Sequence, residues 1–304
     1  MTRGWSIKNM QQVKSRIAGK ARDLRNFWRD FSANKLGLVG LAILIVFLFI
    51  AAFSPWLAPF DPTEIRAGPL MGRPSGVHIF GTDQLGRDIF SRVLYGTRLS
   101  LLVGLSAAAI AVVVGTLVGL VSGYYGKAYG EALMRFTDLF LVMPFLPLVM
   151  VLATLLGRSL FIIMVVIGIT SWPWMARVIR SEVLSLKQRA FVERARAIGC
   201  SNAHIIRKHI LPNTLPLVTA NAILIIPVAI MAEASLAFIG LGDPLTISWG
   251  SILESAFTNN AITLGLWHWF IPPGLGIVFL SLGFALVGHV IDEVVNPRLR
   301  KKGA

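Results

Sequence analysis

Six stretches of this chain, residues 36–57, 99–122, 133–156, 160–175, 215–239 and 269–290, run apolar for about the thickness of a bilayer's hydrocarbon core. A helix rising about 1.5 Å per residue needs roughly 20 apolar residues to cross that layer. The chain therefore reads as an all-α membrane protein with about six transmembrane helices. Composition agrees: 14% of residues are charged and 55% hydrophobic, where a soluble domain carries about 25% charged residues.

The net charge of +14 matters less than its placement. Nine Lys and Arg residues precede the first apolar stretch, from Arg3 to Lys35, against Asp23 and Asp30. Between the fourth and fifth stretches lie Arg177, Arg180, Lys187, Arg189, Arg194, Arg196, Arg207 and Lys208, against Glu182 and Glu193. Arg298, Arg300, Lys301 and Lys302 follow the last. The connection between stretches five and six holds Asp243 and Glu254 but no Lys or Arg. The positive-inside rule puts both termini and the segment near residue 200 in the cytoplasm, as an even number of spans allows. The long basic start and long first apolar run predict a retained anchor, not a cleaved signal peptide. Met10, Val13, Ile17, Ala21, Leu24, Trp28 and Phe31 recur at helical spacing among basic residues, predicting a helix in the lipid interface. The single cysteine, Cys200, excludes an internal disulfide and reads as a small apolar residue near a helix end.

Residues 191–214 form a polar, basic segment between apolar runs, ordered as Glu193-Arg194-Ala195, then Gly199, then Ile210-Leu211-Pro212. On a short helix, Phe191, Ala195, Ile198 and Gly199 share one face, with small residues at 195 and 199 inviting close approach by a partner. Gly199 stops this helix, and Ser201 and Asn202 cap a second over residues 203–210. Pro212 is expected to end that helix and redirect the chain into the fifth span, which makes the segment a lever.

Between the first two stretches, Gly81, Gly86 and Arg87 are spaced like a phosphate-binding loop. Arg87 and Asp88 stand where such a loop needs Lys and Ser or Thr, so the chain does not hydrolyse ATP alone. Arg92 and Arg98, at the membrane boundary, are expected to extend their charged heads to the interface. Gly115, Gly119 and Gly123 lay a flat strip along one helix face, suited to close helix packing. Pro144, Pro147, Pro173, Pro227, Pro272 and Pro273 predict bends within spans. Glu233 is the one acidic residue deep in a span and should face protein or water, either hydrogen-bonded or as a proton carrier. His204 and His209, five apart, are expected on different helix faces, which argues against a local metal pair. His268 and His289 lack the companions of a hydrolase.

The 191–214 segment resembles the EAA loop of ABC-importer permeases, a Glu-Ala-Ala-x3-Gly pattern followed by Ile-x-Leu-Pro, with Arg194 in place of the first Ala. Phe191-Val192 and Arg196-Ala197-x-Gly199 are similar to the peptide-importer branch, as are residues 81–88, 91–100, 122–126 and 233–242. The resemblance covers residues 35–297. It is closest to the shorter, C-type membrane subunit of dipeptide, oligopeptide or nickel importers, and implies a type I permease architecture. It divides the chain into a basic amphipathic segment (1–35), a first transmembrane helix with an external loop (36–98), a permease core (99–290) containing a coupling loop (177–213), and a basic tail (291–304). It implies a homologous second permease, two ATP-binding subunits carrying ATP and Mg, an extracytoplasmic solute-binding protein, and no cofactor or nucleic acid on this chain. Phe191, Glu193, Ala195, Arg196, Gly199, Leu211 and Pro212 would then face the ATPase, and Gly81, Asp83, Gly86, Arg87 and Asp88 would form the external motif. Peptides are the implied cargo. Nickel chelates, oligosaccharides, or a proton-coupled transporter using Glu233 are the alternatives.

Overall fold

The computed structural model describes residues 25–295. Residues 10–24 of the expected interfacial helix and the basic residues 298–302 lie outside them. Residues 25–32 are helical (α1), with Trp28 stacked on Phe31 at 5.8 Å. Asn34 then caps α2 (Lys35–Leu57) by accepting from the Leu36 amide. Within α2, Ile45, Val46 and Phe49 are each more than half exposed, as a lipid-facing wall requires.

Five described helices are long and apolar enough to cross a membrane, or six if one bent pair counts as a span. They are α2, α3 (Ile89–Tyr125), α6 (Leu160–Lys187), the 37-residue rod Asn202–Phe238, and α11 (Trp267–Val295). The helix predicted over 99–122 begins ten residues earlier, because Asp88 caps it and neighbours bury Ser91, Arg92 and Thr97. At about 55 Å long, α3 outreaches the hydrocarbon layer.

The third span expected over 133–156, with bends at Pro144 and Pro147, is a sharply broken pair of helices. α4 (Lys127–Val142) and α5 (Phe145–Leu156) meet at 91°. Pro144 occupies the N-cap of α5 and forces Met143, before it, into extended backbone. The other prolines at which bends were expected, Pro147, Pro173, Pro227, Pro272 and Pro273, all sit inside helices.

Pro212 also fails to break the chain. α7 (Ala190–Ala197) and α8 (Asn202–Ile205) are followed by a π-helical turn, Ile206–Ile210, and then by α9 (Leu211–Phe238). The Leu211 amide reaches back to the Ile206 carbonyl, closing the wider turn. Pro212 follows in the first turn of α9, where a missing N–H costs least. Residues 202–238 therefore run as one rod.

The tightest pairing joins α3 to α6 along the predicted glycine strip. A Cβ on Gly115 would lie 2.6 Å from Met175 Cβ, one on Gly119 2.7 Å from the Ala176 carbonyl oxygen, and one on Gly123 2.8 Å from Val183 Cβ. Gly119→Leu should prise these helices apart and lower the thermal midpoint of the purified protein, an overpacking cost of about 1–3 kcal/mol. An unchanged midpoint would show that the strip is not a structural seam.

A short helix missed by hydropathy, α10 (Trp249–Thr258), folds back among α3, α9 and α11. Ser248 and Ser251 cap it reciprocally. Trp249 is fully buried, and its indole donates to the Val93 carbonyl at 2.9 Å. Gly96, Gly250 and Gly276 leave room for the ring and its helix.

Candidate coupling segment and outer cap

The polar segment folds as a knob fastened to the lower ends of α3 and α6. α7 stops in a Schellman turn: the Cys200 amide donates to the Ala195 carbonyl and the Gly199 amide to the Arg196 carbonyl. Gly199 sits at φ +83°, as a helix-stopping glycine does. Ser201 Oγ accepts from the His204 amide at 3.3 Å and starts α8. Tyr124 Oη donates to Asn202 Oδ1 at 2.7 Å. Lys187 Nζ donates to the Tyr124 carbonyl at 2.6 Å and lies 5.7 Å from that ring's centre. Tyr124, Lys187 and Asn202 thus anchor the knob, and the sequence marked only Tyr124 and Asn202, as parts of other motifs.

The expected shared face of Phe191, Ala195, Ile198 and Gly199 needs correcting. Val192 and Ala195 turn inward and are buried with Ile205 and Ile210. Two apolar residues three apart suffice to hold an eight-residue helix on the core, so its outer side stays free. That side shows Phe191 at 40% and Ile198 at 80% exposure, with Glu193, Arg194 and Arg196 exposed as well. A Cβ on Gly199 would meet nothing within 4 Å. Glu193 sits in the first turn of α7 and Arg194 and Arg196 in the last, which suits the helix dipole. Leu211 packs against the core and Pro212 is exposed.

His204 and His209 were expected on different faces, but their rings lie 5.9 Å apart. The π turn between them takes about five residues per hydrogen-bonded loop instead of four and so restores the register. Phe191 completes the row, 6.2 Å from His209. Among the described residues, no group of three or more His, Cys, Asp or Glu is placed to hold a metal ion.

At the other end of α3, residues 58–88 fold into a cap. Asp83 is 1% exposed. Its Oδ1 accepts from the amides of Leu85 (2.9 Å) and Arg87 (3.0 Å), and its Oδ2 from Arg87 Nε at 2.6 Å. Arg92 Nε lies 3.8 Å away, and Arg92 also donates to the Pro62 carbonyl at 3.0 Å. Asp88, fully buried, accepts from the Ser91 amide and hydroxyl at 2.8 Å and pairs with His78 at 2.9 Å. Thr82 Oγ1 accepts from the Gly72 amide and donates to the Pro69 carbonyl. Gly81 and Gly86 hold positive φ, with the carbonyls of Gly72 and Gly68 where side chains would be. The five motif residues therefore build the cap itself. Arg92 corrects the expectation of an interface-seeking head, since the cap's carboxylate draws it inward, whereas Arg98 is exposed.

The cap is tied to the far helices. Ser255 Oγ on α10 donates to Gln84 Oε1 at 3.0 Å. Glu233, on α9, is 3% exposed. Ser248, the cap residue of α10, lies within hydrogen-bonding reach of its carboxyl, while Oε2 has no partner.

Comparison with known proteins agrees with this architecture. Residues 115–301 match the family described as binding-protein-dependent transport system inner membrane component. Residues 24–70 match the N-terminal transmembrane domain of oligopeptide transport permease C. The chain is 34% identical over 303 residues to the oligopeptide transport system permease protein OppC of Bacillus subtilis (strain 168), covering 97% of this chain and 98% of that protein. It is 36% identical over 277 residues to the dipeptide transport system permease protein DppC of Alkalihalophilus pseudofirmus, covering 91% and 90%. Among solved structures, an inward-facing form of the MetNI methionine ABC transporter superposes with a TM-score of 0.54 at 18% identity, covering 68% of this chain and 95% of that one. This multi-pass membrane chain has the fold of an ABC-importer permease and belongs to the binding-protein-dependent transport system inner membrane component family.

Proposed function

We propose that this chain is the C-type permease subunit of an ATP-driven importer of di- or oligopeptides in the cytoplasmic membrane. The observation that carries the reading is the rod Asn202–Phe238. It is continuous from an exposed polar knob to the buried Glu233 beside α10, so displacement of the knob displaces a core helix. The relatives named as peptide permeases support the cargo class. The chain itself performs no catalysis. Two ATPase subunits bind ATP and Mg, grip Phe191, Ile198 and the Gly199 turn, and swing the rod. A second, homologous permease completes the passage, and an extracytoplasmic binding protein delivers cargo to the outer cap. Both termini and the knob face the cytoplasm. Glu233 serves as a hydrogen-bonded strut to α10.

The test is uptake of radiolabelled trialanine by vesicles containing the chain and its partner subunits, with ATP supplied on the ATPase side. Accumulation should require ATP and survive a protonophore. Uptake that collapses with the proton gradient while ATP stays high would instead assign transport to the Glu233 carboxyl.

A further inference from the structure

An open groove of about 300 Å³ lies between the first turns of α3 and the loop 241–247, at the cap end of the molecule. Leu99 and Leu102 of α3 and Leu245 and Ile247 of the loop give it apolar walls, and Tyr95 and Arg98, a turn nearer the cap, also line it. Arg98 is exposed, and among the described residues it makes no hydrogen bond or ion pair. The loop's own carboxylate, Asp243, is engaged elsewhere. Its Oδ2 accepts from the Leu160 amide and its Oδ1 from the Leu245 amide, both at 2.9 Å. Thr246 Oγ1 donates to the Asp243 carbonyl at 3.1 Å. The groove thus sets an unpaired guanidinium beside an apolar channel.

The rest of α3 says what covers this face. Between Arg98 and Tyr125, every exposed residue of the helix is Leu, Val or Ala. Leu102, Leu105, Val113 and Leu117 are between 47% and 59% exposed. A path for a polar cargo needs hydrogen-bonding groups along its length, and this stripe has none. Arg98 and Tyr125 stand about 40 Å apart along the axis at 1.5 Å per residue, close to the thickness of a bilayer with its headgroups. Trp56 at the end of α2 and Trp267 at the start of α11, 78% and 53% exposed, mark the interface on the cap side, where such rings collect. Arg98 therefore stands at the level of the lipid phosphates.

We infer that the groove holds one phospholipid of the cap-side leaflet, with an anionic headgroup. The Arg98 guanidinium pairs with the phosphate in the forked geometry that suits it, and an acyl chain lies along Leu99, Leu102, Leu245 and Ile247. No described carboxylate pairs with Arg98, so a headgroup's own ammonium has no partner there, and phosphatidylglycerol is preferred to phosphatidylcholine. The lipid bridges α3 to the loop that leads into Ser248, the cap residue of α10. This site rests on the membrane fold alone and is independent of the cargo and of the ATPase contacts.

The test places the assembled transporter in phosphatidylcholine vesicles with a trace of phosphatidylglycerol or, separately, phosphatidylcholine carrying a diazirine on its acyl chain. After illumination, lipid adducts on this chain are mapped by peptide mass spectrometry. Phosphatidylglycerol should label residues 99–102 or 245–247 about five-fold more than phosphatidylcholine, the advantage one basic side chain gives at a lipid surface. Arg98→Gln should remove that preference without moving the thermal midpoint, and Arg98→Lys should keep most of it. Equal labelling by the two lipids in wild type, or a preference that persists in Arg98→Gln, would overturn the anionic site. No adduct from either lipid would mean that a protein partner covers the groove, which overturns it as well. Loss of the phosphatidylglycerol adduct in millimolar glycerol phosphate would assign Arg98 to a free phosphate and not to a lipid.

Discussion

Asp83→Ala is expected to unfold the cap of residues 58–88 and to destabilise the whole permease by about 3–5 kcal/mol, the usual penalty for stripping one partner from a buried ion pair. Arg92, 8% exposed at its side chain, would keep its charge without its carboxylate, and Arg87 would lose its 2.6 Å partner. Two backbone amides, of Leu85 and Arg87, would also lose their acceptor. Asp83→Asn keeps an oxygen for those amides but not the charge, so it should fall between the variant and wild type. Glu64→Ala, at an exposed position of the same loop, is the control. The measurements are the thermal midpoint in detergent and the rate of proteolysis within residues 58–88. A wild-type midpoint for Asp83→Ala would mean that the Asp83 ion pairs do not hold the cap.

The sequence revealed the membrane class because hydropathy is a sum over many residues, insensitive to any one of them. Helix ends are decided by single partners, and here it failed in instructive ways. Residues 91–98 read as a polar loop, yet they are helical because Asp88 caps them and Asp83 draws Arg92 inward. Trp249 lay in a connection of modest hydropathy, and nothing local announced that its indole would reach Val93, 156 residues away. Ser248 and Ser251, two serines three apart, were the available sign of α10, since together they form a capping box. Pro212 was over-read as a break, since it sits where its missing N–H is harmless, whereas Pro144 does divide two helices.

At the coupling segment, the motif residues were legible, but their orientation was not. Helical spacing put Phe191, Ala195, Ile198 and Gly199 on one face, but it could not say where the core would cut into that set, and the core claims Ala195. Val192 settles it: fully buried beside Ala195, it turns Phe191 and Ile198 outward. The π turn was equally hidden, because it depends on a hydrogen-bond register that composition does not encode. Its consequence is a rod without interruption from residue 202 to 238, on which the proposed lever role of the knob rests.

Gly199 separates two reasons for a glycine, and the substitutions that distinguish them have the second large effect. At φ +83° an ordinary side chain is strained, whereas asparagine tolerates the left-handed region. The space before its missing Cβ is open, so within this chain a side chain there clashes with nothing. Gly199→Asn should therefore insert, fold and melt within about 0.5 kcal/mol of wild type, as surface changes do. If an ATPase surface closes over the bare turn between Phe191 and Ile198, the same variant should lose peptide uptake at least about ten-fold, ~1.4 kcal/mol of coupling. Gly199→Trp should abolish uptake and the cargo-stimulated ATPase while still inserting in the membrane. Full transport by Gly199→Asn alone would reduce the glycine to a helix stop. Full transport by Gly199→Trp would remove the turn from the docking surface altogether, leaving Phe191 and Ile198 to carry the contact.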